Sequence, residues 1–153
     1  GKVLKVVTTN KTDTFSTTST SFVDVTGLSV QITPSSASSK ILVTGALVGS
    51  TDSTFFFVRL MRDSTQVLIP DSTGNRTTAN FGFATHNPST YIMQTVPIHA
   101  LDSPSSTSAL TYKIQIECYS GTSYVNRTSR DSDNVAGYDP RGVSTITVAE
   151  IEG

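Results

Sequence analysis

The sequence predicts an all-β fold, an antiparallel β-sandwich or jelly roll of about ten strands. Apolar and polar residues alternate over most of the 153 residues, and clusters of Gly, Pro, Asn, Asp, Ser and Thr break the alternation at short intervals. No window carries an apolar stripe at helical spacing, and serine plus threonine, about three residues in ten, weaken any helix. No fixed internal period marks a propeller or a solenoid.

The first strands are expected at 3–7 and 21–26. In the next, Leu28, Val30 and Ile32 alternate with Ser29, Gln31 and Thr33, until the small polar run 34–39 breaks it. KILVTGALVGS, residues 40–50, is apolar on both faces and fits a central strand covered from two sides. Further strands are expected at 55–62, 66–69, 77–84 and 90–99. In TYKIQIECYS, Tyr112, Ile114, Ile116 and Cys118 share one face and Lys113, Gln115, Glu117 and Tyr119 the other, which makes Cys118 a small buried hydrophobe. The last strands fall at 123–127 and 143–152, separated by a long polar stretch.

Length and composition indicate one domain spanning 1–153 with a single core. The first residue is Gly1 rather than Met, so the chain is read as the C-terminal part of a longer one. With 15% charged residues and a net charge of -1, nucleic-acid binding by bulk charge is not expected. No apolar run approaches a membrane span, and no secretory signal opens the chain. A single cysteine excludes an intrachain disulfide, so stability must come from packing or from oligomerisation.

No nucleophile elbow, phosphate-binding glycine loop, zinc-protease motif or zinc-spaced Cys/His set occurs, and His86 and His99 are isolated. Carboxylates that glycoside hydrolysis would need are present in Asp71, Asp102, Glu117, Asp131, Asp133 and Asp139, but turn chemistry alone favours loop aspartates. No catalysis and no cofactor are expected. Three N-glycosylation patterns begin at Asn10, Asn75 and Asn126, and they fit turns at strand ends equally well.

The stretch SRDSDNVAGYDPRG, residues 129–142, invites a calcium reading. Counted from Asp131, the position that needs glycine holds Ala136 and the position that needs a bidentate acid holds Gly142, so the helix-flanked motif fails. Arg130 and Arg141 flank the carboxylates and would neutralise them. The expectation is a charge-balanced surface loop without a metal, long for a hairpin connection.

In TFFFVRLMRD, Phe56, Val58 and Leu60 suffice for the core, yet Phe55, Phe57 and Met61 occupy the opposite face around Arg59. STYIMQTVPIH repeats the pattern, with Ile92, Val96 and Ile98 as core and Tyr91 and Met93 opposite. Aromatic residues on both faces predict a surface buried against another subunit, with Phe55, Phe57, Tyr91 and Met93 at the interface.

The strings KVLKVVTTNKTDTFSTTSTSFVDVTGLSVQITPSSASSKILV, FVRLMRDSTQVL, LDSPSSTSALTYKIQI and PRGVSTITVAEI resemble, in that order, a repeated domain of tail-fibre and other virion structural proteins of bacteriophages, marine and cyanobacterial ones in particular. The layout is also similar to the trimeric jelly rolls of the tumour-necrosis-factor and complement-head type. The resemblance implies a homotrimer on a virion surface, in contact with other virion proteins and with a host-cell-surface glycan. It implies neither nucleic-acid binding nor membrane insertion. Receptor contact would fall to the loops 71–77, 85–89 and 129–142, with Arg76, Asn87, Tyr124, Arg130, Tyr138 and Asp139 as ligand-binding residues. The alternative is a purely structural part: a head fibre, capsid decoration or assembly adaptor.

Overall fold

The computed structural model describes residues 1–71, 74–85 and 90–153. Among these residues eleven strands run in order: β1 (Val3–Lys11), β2 (Phe15–Thr17), β3 (Val23–Ile32), β4 (Lys40–Thr51), β5 (Phe55–Arg62), β6 (Thr65–Gln66), β7 (Phe81–Ala84), β8 (Gln94–Asp102), β9 (Leu110–Cys118), β10 (Ser123–Val125) and β11 (Ser144–Ile151). All described pairings are antiparallel and divide the strands between two sheets.

Three strand positions are each shared by two strands laid end to end. In the first sheet, β8 holds one edge of β4, while β10 (Val125 opposite Gly49) and β11 (Thr145 opposite Ala46) follow one another along the other edge. Beyond them β2 pairs with β10 and β1 with β11. In the second sheet β9 holds one edge of β5, and β7 and β6 share the other. Counted as positions rather than strands there are eight, four per sheet. Their order is first–eighth–third–sixth in one sheet and second–seventh–fourth–fifth in the other, which is the jelly roll.

The core lies between the sheets because inward side chains alternate with outward ones along every long strand. Val43, Leu47, Val96, Ile98, Ile146 and Val148 descend from the first sheet onto Leu28, Val30, Phe56, Val58, Ile114 and Ile116 of the second, all buried. Cys118 is buried and reduced, at the end of β9. Gly49 makes room for the largest of these contacts: a Cβ there would lie 2.6 Å from Cζ of Phe56, whose ring stacks on Phe83 at 4.8 Å. A second link crosses the sheets where Tyr112 Oη donates to Asp102 Oδ2 at 2.7 Å, beside Arg62.

Several strand limits differ from the sequence expectation. The strands expected at 21–26 and 28–33 are one strand, β3, whose register jumps between Asp24 and Ser29 around Gly27, at φ 81°. The strand expected at 66–69 shrinks to β6 because Leu68, at φ 54°, turns the chain out and leaves Leu68 and Ile69 exposed. Only 81–84 of the expected 77–84 pairs, and the expected 90–99 shifts to Gln94–Asp102, so Ile92 is exposed rather than core and Tyr91 and Met93 precede the strand. β2 is three residues of FST, too short to be read from alternation.

Among the described residues no helix is long and apolar enough to cross a membrane.

Candidate functional site

The site is built on an interruption. Asn126 donates its backbone N–H to Val48 O at 2.9 Å, and Val48 N donates to Ser144 Oγ at 2.9 Å. By the register on either side, Asn126 and Ser144 take consecutive places opposite Val48 and Leu47. Residues 127–143 are therefore an insert into one strand position, and the strand resumes with neither register nor facing changed.

Asn126 makes this possible. Its φ of 62° lies in the left-handed region, which asparagine tolerates better than most residues, and it turns the chain out of the sheet. Its buried amide then fills the gap: Nδ2 donates to Lys11 O and Asp13 O, both at 2.8 Å, where the neighbouring β1 and β2 also part. Oδ1 accepts from Ser144 Oγ at 2.7 Å. Every polar atom of the amide is used inside the sheet, so this asparagine is a structural pin rather than a glycan acceptor. Asn80 does the same where β6 and β7 part, accepting from Leu60 N at 2.9 Å and donating to Val67 O at 2.7 Å.

Two arginine–aspartate pairs hold the insert in shape. Arg141 grips Asp131 with two parallel bonds, Nε to Oδ1 and Nη2 to Oδ2, each 2.6 Å. Asp139 turns a fully covered carboxylate inward, where it accepts from Thr128 Oγ1 at 2.7 Å, Asn134 Nδ2 at 3.0 Å and the Arg130 guanidinium. The Arg130 hydrogen bonds, more than any other cause, hold the Asp139 carboxyl below its ordinary value of 3.8. Arg127 donates to Thr128 O and Ser129 O and lies 4.5 Å over the Tyr124 ring.

Arg130 carries the insert onto its neighbour. Its guanidinium stands 4.0 Å over the Tyr91 ring, and the Arg130 backbone N–H donates to Thr90 O at 3.2 Å. Tyr138 approaches Tyr91 from the insert with centroids 6.1 Å apart and planes at 62°, and the two rings, both exposed, line a cleft of about 270 Å³. A polar cavity of about 330 Å³ is lined by Asp131, Ser132, Asp133, Asn134, Gly137, Asp139 and Arg141, the chain neighbours of Tyr138 among them. The cluster sits at the Val48–Thr51 end of β4, whereas the chain ends meet at the other end of that sheet, where Glu152 N donates to Lys2 O.

Of the ligand-binding residues expected from sequence, the structure brings Arg130, Tyr138 and Asp139 together around Tyr91, whereas Tyr124 meets the insert through Arg127 and turns its hydroxyl toward Asp52. Arg76 is exposed on the segment between β6 and β7, and Asn87 lies outside the described residues. Asp139 braces Arg130 and exposes no carboxylate surface. Sequence reasoning does not single out Ser144, and it meets Asn126, Arg127 and Thr128 only as an N-glycosylation pattern. Among the described residues no three His, Cys, Asp or Glu side chains converge to hold a metal ion.

The four expected interface residues separate. Phe55 and Phe57 stack at 5.7 Å on the outer face of the second sheet, with Tyr119 edge-on to Phe55 at 5.2 Å. Beside them Arg59 covers Phe22 and bonds Gln115, which bonds Asp24. Tyr91 belongs to the insert cluster, and Met93 is half-buried at the entry to β8. The outer face of the first sheet is different again. Its rows Val6–Ala149–Leu42–Leu101, Thr8–Thr147–Thr44–His99 and Asn10–Thr145–Ala46–Pro97 contain no Asp, Glu, Lys or Arg.

Fold and site together define an eight-position jelly roll that carries a braced, charge-balanced insert at one end of its first sheet. No family model and no curated protein sequence matches the chain. Among solved structures, similar ones are from infectious bursal disease virus. The VP2 subviral particle has a TM-score of 0.48 and 17% identity, covering 97% of this chain and 33% of that one. The Gt strain structure gives 0.47 and 18%, covering 97% and 38%, and virus-derived T=1 particles give 0.45 and 16%, covering 95% and 35%. The chain thus spans well under half the length of these proteins.

Proposed function

We propose that this domain is a module of a virion surface that contacts a host-cell receptor through residues 127–143 and Tyr91, without catalysis. The observation that carries the reading is the Tyr91–Arg130–Tyr138 cluster: two exposed aromatic rings and a fixed guanidinium where the insert meets Tyr91. Aromatic and arginine side chains held rigid supply contact area at low entropic cost. The cluster points away from the chain ends, and the sequence resemblance to phage tail-fibre domains supplies the setting, a particle surface shared with other virion proteins. The partner in this reading is a host-cell-surface glycan.

A second reading, a purely structural virion part, is favoured by the three rows across the outer face of the first sheet that carry no Asp, Glu, Lys or Arg. Rows of Thr, Ala, Val and Leu match one another without repulsion and suit packing against a further copy. A homotrimer joins the two readings, with one face given to neighbours and the insert left free.

The test is adsorption of the labelled chain to bacterial cells, alongside a variant in which 127–143 is removed and Asn126 joined to Ser144. Binding that the deletion abolishes supports receptor contact. Its absence at about 10 μM protein, with the oligomer confirmed by light scattering, favours the structural reading. A stable monomer removes the trimer.

A further inference from the structure

We infer that the group taken by the Tyr91–Tyr138 cleft is a neutral sugar rather than an acidic one. The inference rests on the receptor-binding reading and narrows its ligand. Among the described residues the cleft is lined by two aromatic rings, whose apolar surface suits the C–H face of one pyranose. Tyr138 stands in the chain between Gly137 and Asp139, both of which line the polar cavity, so that cavity begins one residue from the tyrosine, and the hydroxyls of a ring on the tyrosines would find their partners there. Ser132 offers that cavity a hydroxyl that can donate or accept and Asp133 a carboxylate that accepts, while the Asn134 amide is spent on Asp139, Ser132 O and Ala136 N.

The charges decide between sugar classes. Arg141 is spent bidentately on Asp131, and Arg130 is spent on Asp139 and Tyr91. Arg127 is turned to backbone carbonyls and lies 3.6 Å from Asp131. The three arginines are thus held by two carboxylates and the backbone, and the remaining acid, Asp133, is exposed in the cavity wall. An acidic sugar would meet Asp133 directly and would have to displace an aspartate from a two-bond pair. A neutral sugar meets no such opposition, and its hydroxyls donate to Asp133.

The experiment is calorimetric titration of the whole chain with methyl glycosides and short oligomers of neutral hexoses, against glucuronate- and sialate-bearing oligosaccharides, at low and high salt. Binding of a neutral sugar is expected to change less than about twofold between 0.05 and 0.5 M salt. Tyr138→Ala should weaken it by about tenfold or more, with Tyr138→Phe close to the parent. Asp133→Asn should leave the fold intact, because the side chain is exposed, and should weaken neutral-sugar binding by removing the charged acceptor of its hydroxyls. Preference for acidic sugars, affinity that collapses with salt, or cell adsorption without any neutral-sugar binding overturns the inference while leaving receptor contact standing. Absence of cell adsorption overturns the receptor reading itself.

Discussion

Ser144 Oγ donates a 2.7 Å hydrogen bond to Asn126 Oδ1, joining two residues that occupy neighbouring places in one strand although seventeen residues of chain separate them. The bond closes the mouth of the insert on the sheet side, and Asn126 O, accepting from Gly142 N at 3.0 Å, closes it on the outer side.

Asn126→Ala removes the donor to Lys11 O and Asp13 O and the acceptor for Ser144, leaving buried polar groups without partners. A loss of about 2–4 kcal/mol is expected. Urea denaturation checks it: the midpoint should fall at unchanged slope.

Deleting 127–143 and joining Asn126 to Ser144 should yield a folded chain. Val125 opposite Gly49 and Thr145 opposite Ala46 leave two places on β4 for the two joined residues, and inward Val125 and Ser144 keep their alternation. The expected outcome is an unchanged far-ultraviolet spectrum with cooperative melting. An uncooperative melt would refute the end-to-end reading of β10 and β11.

Gly49→Ala places a methyl 2.6 Å from the Phe56 ring. Overpacking of this kind costs about 1–3 kcal/mol. Phe56→Leu shortens the opposing side chain, so the double variant should be less destabilised than the sum of the singles, a coupling that a double-mutant cycle measures.

Acid should release the loop at Ser35–Ser39. Glu150 is buried on β11, and Oε1 accepts from Ser35 N, Ser35 Oγ and Ser39 Oγ at 2.7, 2.6 and 2.8 Å. The Ser35 hydroxyl, foremost, holds this carboxyl below its ordinary value of 4.5. A depressed folded value means the stabilisation is complete above 4.5 and lost as pH falls through the folded value. Glu150→Gln should therefore flatten the fall in stability below that pH, while Ser35→Ala should move the Glu150 carboxyl resonance titration upward.

Much of the fold was legible because local pattern and tertiary burial agree. β5 has the limits its alternation predicts, and Tyr112, Ile114, Ile116 and Cys118 all face the core. Legibility failed where a side chain replaces a strand. The break between β6 and β7 depends on Asn80 reaching Leu60 N and Val67 O, twenty and thirteen residues away, which no periodicity encodes. In the insert, charge balance was visible from composition, but the pairing was not. Arg141 reaches back ten residues to Asp131 while Arg130 reaches forward nine to Asp139, a crossed arrangement that only the folded loop reveals. Tyr91 was misplaced on a strand for the same reason: its partners, Arg130 and Tyr138, are remote in sequence.

Because Asn126 and Ser144 are consecutive places in the pleat, the number of residues between them is free of parity. An ordinary hairpin that gains one residue must slip its register or bulge; here an addition of any length leaves Ile146 and Val148 facing inward. Lineages carrying this domain can therefore exchange the insert wholesale, by insertion, deletion or recombination, while the selection that maintains the core acts on other positions. Diversity between related chains should concentrate between 127 and 143, with Asn126 and Ser144 standing unchanged at its borders.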